Sequence, residues 1–296
     1  MSLIAGEILD QPRAWARAAE LARAMPGALP DGERIAVIGC GSSWYAAKAI
    51  GSLRELAGRG ETDAFAASEA LLGRGYDRVL AISRSGATTE IRRALELVPS
   101  GATTVALVGD PDSPVAEGCD VVLDLSFADD RSVVQTRFLT SAVCFARACL
   151  GAETDGLVAD AEAALAEPHP LDPASVDHAV VLGREWRAGL ADAGALALGE
   201  TAGVWAEAYP AMEYRHGPIA TAADGTAVWM LDDPPAGLAE QVRATGAAVI
   251  DARLDPLAEL IRIQRFAVAL AEARGLDPDR PVNLERAVVL DPGGTP

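Results

Sequence analysis

The chain alternates short apolar runs with stretches of helical periodicity, and this rhythm constrains its fold more than any other feature. Each run is four to six residues long, which is typical of strands buried on both faces of a sheet. Helices between such strands imply crossover connections, and therefore a parallel sheet covered on both faces. In the first half the pattern predicts strands at 34–39, 78–83, 104–109 and 121–125, and helices at 10–25, 44–56, 89–98 and 136–150, with a short helix starting near 111.

The same rhythm restarts after a stretch rich in Ala, Glu and Asp that closes with several prolines, residues 152–173. The second half predicts strands at 178–183, 227–231 and 247–250, a closing strand at 286–290, and helices at 192–209 and 256–274. We therefore expect an α/β protein with two halves of similar plan, which indicates an ancient duplication. The expected parts are an N-terminal helix (1–27), a first domain (28–165) and a second domain with a C-terminal tail (166–296).

Composition narrows the function classes. The 296 residues carry 25 Lys and Arg against 43 Asp and Glu, a net charge of −18. The electrostatic field of this negative net charge repels polyphosphate backbones, so no nucleic-acid partner is expected. An anionic ligand would need a local pocket to hold it. No apolar stretch approaches the roughly 18 residues that cross a bilayer, and the N-terminus does not resemble a signal peptide. We expect a cytoplasmic protein without a membrane partner, whose four cysteines are reduced thiols.

The turn after the first strand, Gly39-Cys40-Gly41-Ser42-Ser43-Trp44, fails as a dinucleotide fingerprint. Gly39 and Gly41 fit the first two glycines, but Trp44 stands where the third position must be small for helix–strand packing. No acidic residue is convincingly placed about 20 residues further on. A nicotinamide cofactor is therefore not expected.

The stretch from Ser83 to Glu90 leaves the carboxyl end of a predicted parallel strand and opens a helix. Ligands bind at this edge in open α/β sheets, and a phosphate there meets free amides and the positive end of the helix dipole. The alternative is an ordinary helix cap, but four hydroxyls in seven residues exceed what a cap needs. The chain has no Gly-Lys-Ser/Thr, so this is not a P-loop. The candidate ligands are the hydroxyls of Ser83, Ser85 and Thr88, the backbone at Gly86, and the cation Arg84.

A third stretch contains Glu200, Glu207 and His216. If both glutamates are helical, their spacing of seven puts them on one face, and desolvation on an aliphatic helix suits a proton-abstracting base. The alternatives are solvated surface glutamates and a structural or exposed histidine. No His, Cys and Asp cluster has metal-ligand spacing, so neither a metal nor another cofactor is expected.

Together these stretches resemble the tandem sugar isomerase (SIS) domain phosphosugar isomerases and deaminases, which include the isomerase half of glucosamine-6-phosphate synthase. The resemblance covers nearly the whole chain and implies two SIS-type subdomains, each a three-layer αβα unit of flavodoxin-like topology. It rests on Gly41-Ser42-Ser43, Ser83-Arg84-Ser85-Gly86-x-Thr88, Ser132 to Arg137, Leu182-Gly183-Arg184, Glu200, Glu207-Ala208-Tyr209, Arg215-His216-Gly217-Pro218 and Pro281-Val282-Asn283-Leu284.

The resemblance also implies roles. Glu200 would move a proton between C1 and C2 of the open-chain sugar, and His216 would assist ring opening from the partner subunit of a homodimer. The expected binding residues are Ser83, Arg84, Ser85 and Thr88 for the sugar 6-phosphate, with Ser43 at the first turn, Val133 and Gln135 along the sugar, and Arg286 in the tail.

Two departures concern lysines. The synthase family has a Schiff-base lysine where this chain has Arg286, and a second lysine where it has Ala197. An arginine cannot usefully lose its proton, and the one lysine present, Lys48, is expected at the surface. Residue 2 is Ser rather than a nucleophilic Cys, so glutamine-dependent amidotransfer is not expected.

The sequence thus predicts a homodimeric enzyme that isomerises or deaminates an amino-sugar or ketose 6-phosphate. The alternative is a non-catalytic sugar-phosphate sensor. The missing lysines favour the sensor, whereas the presence of both Glu200 and His216 favours catalysis.

Overall fold

Strand β1 (Ile35–Gly39) is an interior strand of the first sheet, and all five of its residues are buried. The computed structural model describes residues 1–290, which divide into two compact units. The first unit contains 17–152 and 285–290, and the second contains 1–16 and 153–284. In the first unit β1 is joined by four parallel strands in the order β2-β1-β3-β4-β5. These are β2 (Thr62–Ala66), β3 (Arg78–Ser83), β4 (Thr103–Val108) and β5 (Val121–Asp124).

The second unit repeats this order with one strand fewer, β7-β6-β8-β9, again all parallel. Its strands are β6 (His178–Gly183), β7 (Trp205–Pro210), β8 (Thr226–Met230) and β9 (Ala248–Ile250). The predicted α/β class and flavodoxin-like order are confirmed. The helices are α1 (Leu3–Leu9), α2 (Gln11–Ala24), α3 (Ser42–Leu56), α4 (Thr89–Glu96), α5 (Pro114–Glu117), α6 (Arg137–Cys149), α7 (Asp155–Ala166), α8 (Arg187–Ala202), α9 (Leu238–Arg243) and α10 (Pro256–Ala273).

A glycine ends the first strand of each unit and lets the following helix pack against it. A Cβ on Gly39 would lie 2.5 Å from the backbone of Ser43, and one on Gly183 would lie 2.4 Å from the carbonyl oxygen of Arg187. Real Cβ atoms are not found at such distances, so no larger residue fits without a backbone shift. The two units therefore share a packing detail as well as a strand order.

The predicted helix over 192–209 is wrong in its second half. Helix α8 ends at Ala202 because Gly203 adopts the left-handed conformation (φ 60°) that ends many helices. The chain then forms the edge strand β7, whose residues are only partly buried and lack the apolar run of a central strand. Glu207 lies on this strand, so it does not share a helix face with Glu200.

Other differences have similar physical causes. Strand β2 was not predicted because it is a partly exposed edge strand with the polar start Thr62-Asp63. Residues 286–290 form no strand, and the predicted helix 10–25 is preceded by a separate helix, α1. The compact units divide near 152, and the tail residues 285–290 belong to the first unit, while the domain boundary near 165 stays a prediction. The last six residues of the predicted tail lie outside the described residues.

Candidate functional site

The segment between β3 and α4, residues 83–88, is called the anion loop below. It begins at Ser83, the buried last residue of β3, and ends where α4 starts at Thr89. Gly86 has a φ of 61°, and a Cβ there would lie 1.8 Å from Ser113 Oγ. The amide of Val115 donates to the Gly86 carbonyl at 2.9 Å. Only glycine allows the loop to turn this closely against the neighbouring connection.

Two serine side chains in the anion loop accept backbone hydrogen bonds. The Gly86 amide donates to Ser83 Oγ at 3.1 Å, and the Ala87 amide donates to Ser85 Oγ at 3.3 Å. A hydroxyl has one donor and two acceptor lone pairs, so accepting an amide leaves its O–H available to donate. The helix that follows adds the positive end of its dipole, roughly half an elementary charge. The loop can therefore present hydroxyl donors to an anion.

Arg84 is used differently from the expected phosphate cation. Its side chain is 3% exposed, and Nη1 donates to the carbonyls of Ser132 and Val133 at 2.8 and 2.9 Å. Nη2 donates to the carbonyl of Arg286. The guanidinium thus bridges the anion loop, the segment that leads into α6, and the C-terminal tail.

The first turn and the segment before α6 come together in the first unit. Buried Ser43 donates from Oγ to Gln135 Oε1 at 3.5 Å. The fully buried carboxylate of Asp130 accepts from the amides of Thr136 and Phe138 at 3.0 and 3.1 Å, which fixes the start of α6. Ser43, Val133, Gln135 and the anion loop therefore belong to one cluster in the first unit.

The tail contributes contacts that sequence reasoning missed. Arg286 Nη2 pairs with Asp129 Oδ1 at 2.6 Å, and its Nε donates to the Asp130 carbonyl at 3.2 Å. The amide of Thr89 donates to the Val288 carbonyl at 3.3 Å, and the amide of Leu290 donates to Thr89 Oγ1 at 2.9 Å. No local sequence pattern could predict that Asp129 pairs with Arg286, because the two residues are 157 positions apart. The adjacent acids Asp129 and Asp130 are only a weak signal of an arginine partner.

In the second unit the two glutamates differ. Glu200 lies half-buried in the last turn of α8. Glu207 on β7 accepts from Tyr209 Oη at Oε1 (3.0 Å), and its Oε2 lies 3.0 Å from His178 Nε2. Burial and the Glu207 carboxylate raise the pKa of Tyr209. Both oxygens of Glu207 therefore have partners on the sheet, which argues for a structural role. His216 is exposed in a 3-10 turn, Glu213–His216.

Cys40 lies between the glycines of the first turn. Burial, followed by the charge of Glu90, raises its pKa to about 11, so the thiol is neutral at pH 7. It therefore adds no negative charge to the turn that precedes Ser43. The four cysteines are all free thiols.

Residues 1–290 contain no group of three or more His, Cys, Asp or Glu side chains arranged to hold a metal ion. No helix in that part of the chain is both long and apolar enough to span a membrane.

Comparison with known proteins gives consistent relatives, although no family model matches the chain. A glutamine–fructose-6-phosphate aminotransferase (isomerizing) from Methanothermobacter thermautotrophicus is 28% identical over 88% of this chain. The match covers 52% of that protein, so the chain spans about half the length of the curated relatives it matches.

Solved structures extend the comparison over nearly the full chain. A glucosamine-6-phosphate deaminase from Thermotoga maritima has a TM-score of 0.80 and 25% identity, covering 98% of this chain and 100% of its own. The tagatose-6-phosphate ketose/aldose isomerase from Escherichia coli has a TM-score of 0.80 at 18% identity, covers 96% of this chain and 97% of its own, and shows the shared fold. These comparisons confirm the predicted resemblance: the chain is a homologue of the isomerase (SIS) region of the aminotransferases and has the fold of the phosphosugar isomerases.

Proposed function

We propose that the protein is a phosphosugar isomerase or deaminase that acts on an amino-sugar or ketose 6-phosphate. The observation that carries the proposal is the anion loop, where serine hydroxyls accept loop amides and keep their O–H groups for a ligand. Ser83, Ser85 and Thr88 hold the phosphate, with Ser43, Val133 and Gln135 on the sugar side. A bound dianion is favoured there by the helix N-terminus although the molecule carries a net charge of −18.

The proposed chemistry needs one base and no lysine. Glu200 takes a proton from C2 of the open-chain aldose and delivers it to C1, through an enediol or enamine intermediate. With an amine on C2, the product is a C2 ketimine, and addition of water followed by C–N cleavage releases ammonia and the ketose phosphate. His216 assists ring opening, and its exposure fits a residue contributed to the partner subunit of a homodimer. A cytoplasmic location and the absence of a cofactor remain part of the proposal.

The second candidate is a non-catalytic sugar-phosphate sensor. One observation favours it: at the two positions where the resemblance implies lysines, this chain has Ala197 and Arg286, and Arg286 is engaged with Asp129. Incubation with glucosamine 6-phosphate separates the candidates. Ammonia or ketose production supports the enzyme, and thermal stabilisation without turnover supports the sensor.

The catalytic proposal is tested by Glu200→Gln. We expect turnover of glucosamine 6-phosphate to fall by at least about 10²-fold, because the amide cannot accept the proton. Binding, measured by calorimetry, should be retained. The matched control is Glu240→Gln, an exposed glutamate on α9 that should leave turnover unchanged. Loss of binding with normal turnover of the bound sugar would refute Glu200 as the base.

A further inference from the structure

Residues 286–290, here called the C-terminal strap, lie against the anion loop and the start of α4, and three of their backbone groups form hydrogen bonds there. The Val288 carbonyl accepts from the Thr89 amide, the Leu290 amide donates to Thr89 Oγ1, and the Arg286 carbonyl accepts from Arg84. We propose that Arg84 and Arg286 are positioning residues that hold this strap and thereby keep the anion loop in its binding geometry. The inference rests on the proposed function, because the bound anion is the sugar phosphate.

The Arg84 side chain connects three segments of the first unit. Buried among the three segments, it donates to carbonyls of Ser132, Val133 and Arg286. A guanidinium offers five donors in a rigid plane, so it can bind carbonyls in different directions at once. A lysine ammonium keeps the charge but lacks this planar fork. The role of Arg84 therefore depends on its shape as well as on its charge.

The Arg286 side chain fastens the strap to the segment before α6, and its contacts there are called the latch below. Its side chain pairs with Asp129 at 2.6 Å and also donates to the Asp130 carbonyl. The paired side chains are 39% and 28% exposed, and an ion pair in that setting is weak alone. It acts together with the backbone contacts of the strap. The Arg286 side chain thus holds the tail of this chain against the segment that leads into α6.

The strap and a bound phosphate use different groups. The strap occupies the amide of Thr89 and an acceptor position of its hydroxyl, whereas the proposed phosphate ligands are Ser83, Ser85 and Thr88. Both can therefore be present together. The strap packs beside the anion loop and restrains its movement. Substitutions that weaken the contacts of the strap should therefore weaken anion binding.

Asp129→Asn tests this inference, because the positioning role and simple electrostatics predict opposite changes in the affinity for a sugar phosphate. Removal of one negative charge near an anion site should tighten binding if only electrostatics matter. Loss of the latch should instead weaken binding of glucose 6-phosphate about two- to fivefold, measured by calorimetry. The matched control is Asp112→Asn, which removes the same charge from the exposed turn after β4 and should not weaken binding.

Two further variants keep the test independent of any folding defect. Arg286→Gln changes a partly exposed tail residue and should weaken binding as Asp129→Asn does. Arg84→Lys keeps the charge but should weaken binding about tenfold or more, because buried carbonyls lose their donors. In all three variants, backbone hydrogen exchange in the strap should become faster.

The outcomes separate this inference from the proposed function. If the wild-type protein binds glucose 6-phosphate but Asp129→Asn and Arg286→Gln bind it equally or more tightly, the positioning role is overturned. Unchanged exchange in the strap overturns it as well. If the wild-type protein binds none of glucosamine 6-phosphate, fructose 6-phosphate and glucose 6-phosphate, the proposed function fails, and the inference that rests on it fails too.

Discussion

The two units share a strand order and a glycine after the first strand, but they differ at the turn after their corresponding third strands. In the first unit β3 ends at Ser83 and is followed by Arg84-Ser85-Gly86, and in the second β8 is followed by Leu231-Asp232-Asp233-Pro234-Pro235. Prolines have no N–H to donate, and carboxylates repel an anion. The same fold therefore carries the proposed anion site in one unit and an environment unfavourable to anions in the other.

The second unit uses this edge of its sheet for ion pairs between its own side chains. Arg187 lies 3.6 Å from Asp232 and 3.5 Å from Glu185. Burial raises the pKa of Asp232, and the charges of Arg187 and Arg184 oppose that rise only in part. The two units thus carry loops of different chemistry on the same topology, and the proposed anion binding depends on the loop residues.

The largest expected effect comes from Gly86→Ala. The new methyl would lie 1.8 Å from Ser113 Oγ at a left-handed backbone position, so the loop must shift. We expect a loss of about 1–3 kcal/mol in the free energy of unfolding, together with loss of sugar-phosphate binding.

The control for that change is Gly237→Ala in the connection after β8. It has a similar φ of 75°, but the nearest atom to its Cβ, Arg215 Nη2, is 3.7 Å away. Urea unfolding and calorimetry should show the backbone cost without the loss of binding. Equal effects of the two substitutions would mean that the contact with Ser113 is unimportant.

A smaller effect is expected from Ser83→Ala and Ser85→Ala. Each removes a hydroxyl donor to a charged ligand, which corresponds to about 1.5–3 kcal/mol, or roughly ten- to 100-fold in affinity for glucose 6-phosphate. Ser175→Ala, an exposed hydroxyl in the second unit, should leave the calorimetric affinity unchanged. Binding that survives both loop substitutions would remove the functional contrast between the units.

The smallest effect is expected at Asp232. Its pKa is raised in the folded state, so the folded protein binds this proton more readily than the unfolded chain, and stability falls as pH rises from about 3.8 through the folded pKa. Asp232→Asn should therefore stabilise the protein by up to about 1 kcal/mol at pH 7.5. The gain should disappear below pH 3.8, where both states are protonated. Destabilisation at pH 7.5, measured by urea unfolding, would show that the Arg187 pair outweighs burial.

The predictable parts of the fold were those with a local cause. Strands β1, β3 and β4 appear as apolar runs because they are buried on both faces. The edge strands β2 and β7 are partly exposed and lack this pattern. Because β7 lacks an apolar run, the sequence predicts a helix that continues through Gly203. The left-handed conformation of Gly203, which ends α8, depends on where the chain turns.

The residues of the candidate site also divide into those with a local sequence signal and those without one. The anion loop was predictable because its hydroxyls and its glycine are adjacent in sequence. The use of Arg84 was not, since it depends on the Arg286 carbonyl 202 residues away. Glu200 and His216 were identified by resemblance, and their catalytic roles remain proposals.

The burial of Arg84 has a consequence for ligand capture. The molecule as a whole is strongly acidic, with a charge of −18, whereas this guanidinium lies inside the protein beside the loop. Mobile ions screen the distant surface charges, with a Debye length of about 10 Å at 0.1 M salt, but they screen a buried charge much less. Added salt should therefore remove more repulsion than attraction, and an incoming phosphate ester should associate faster as ionic strength rises.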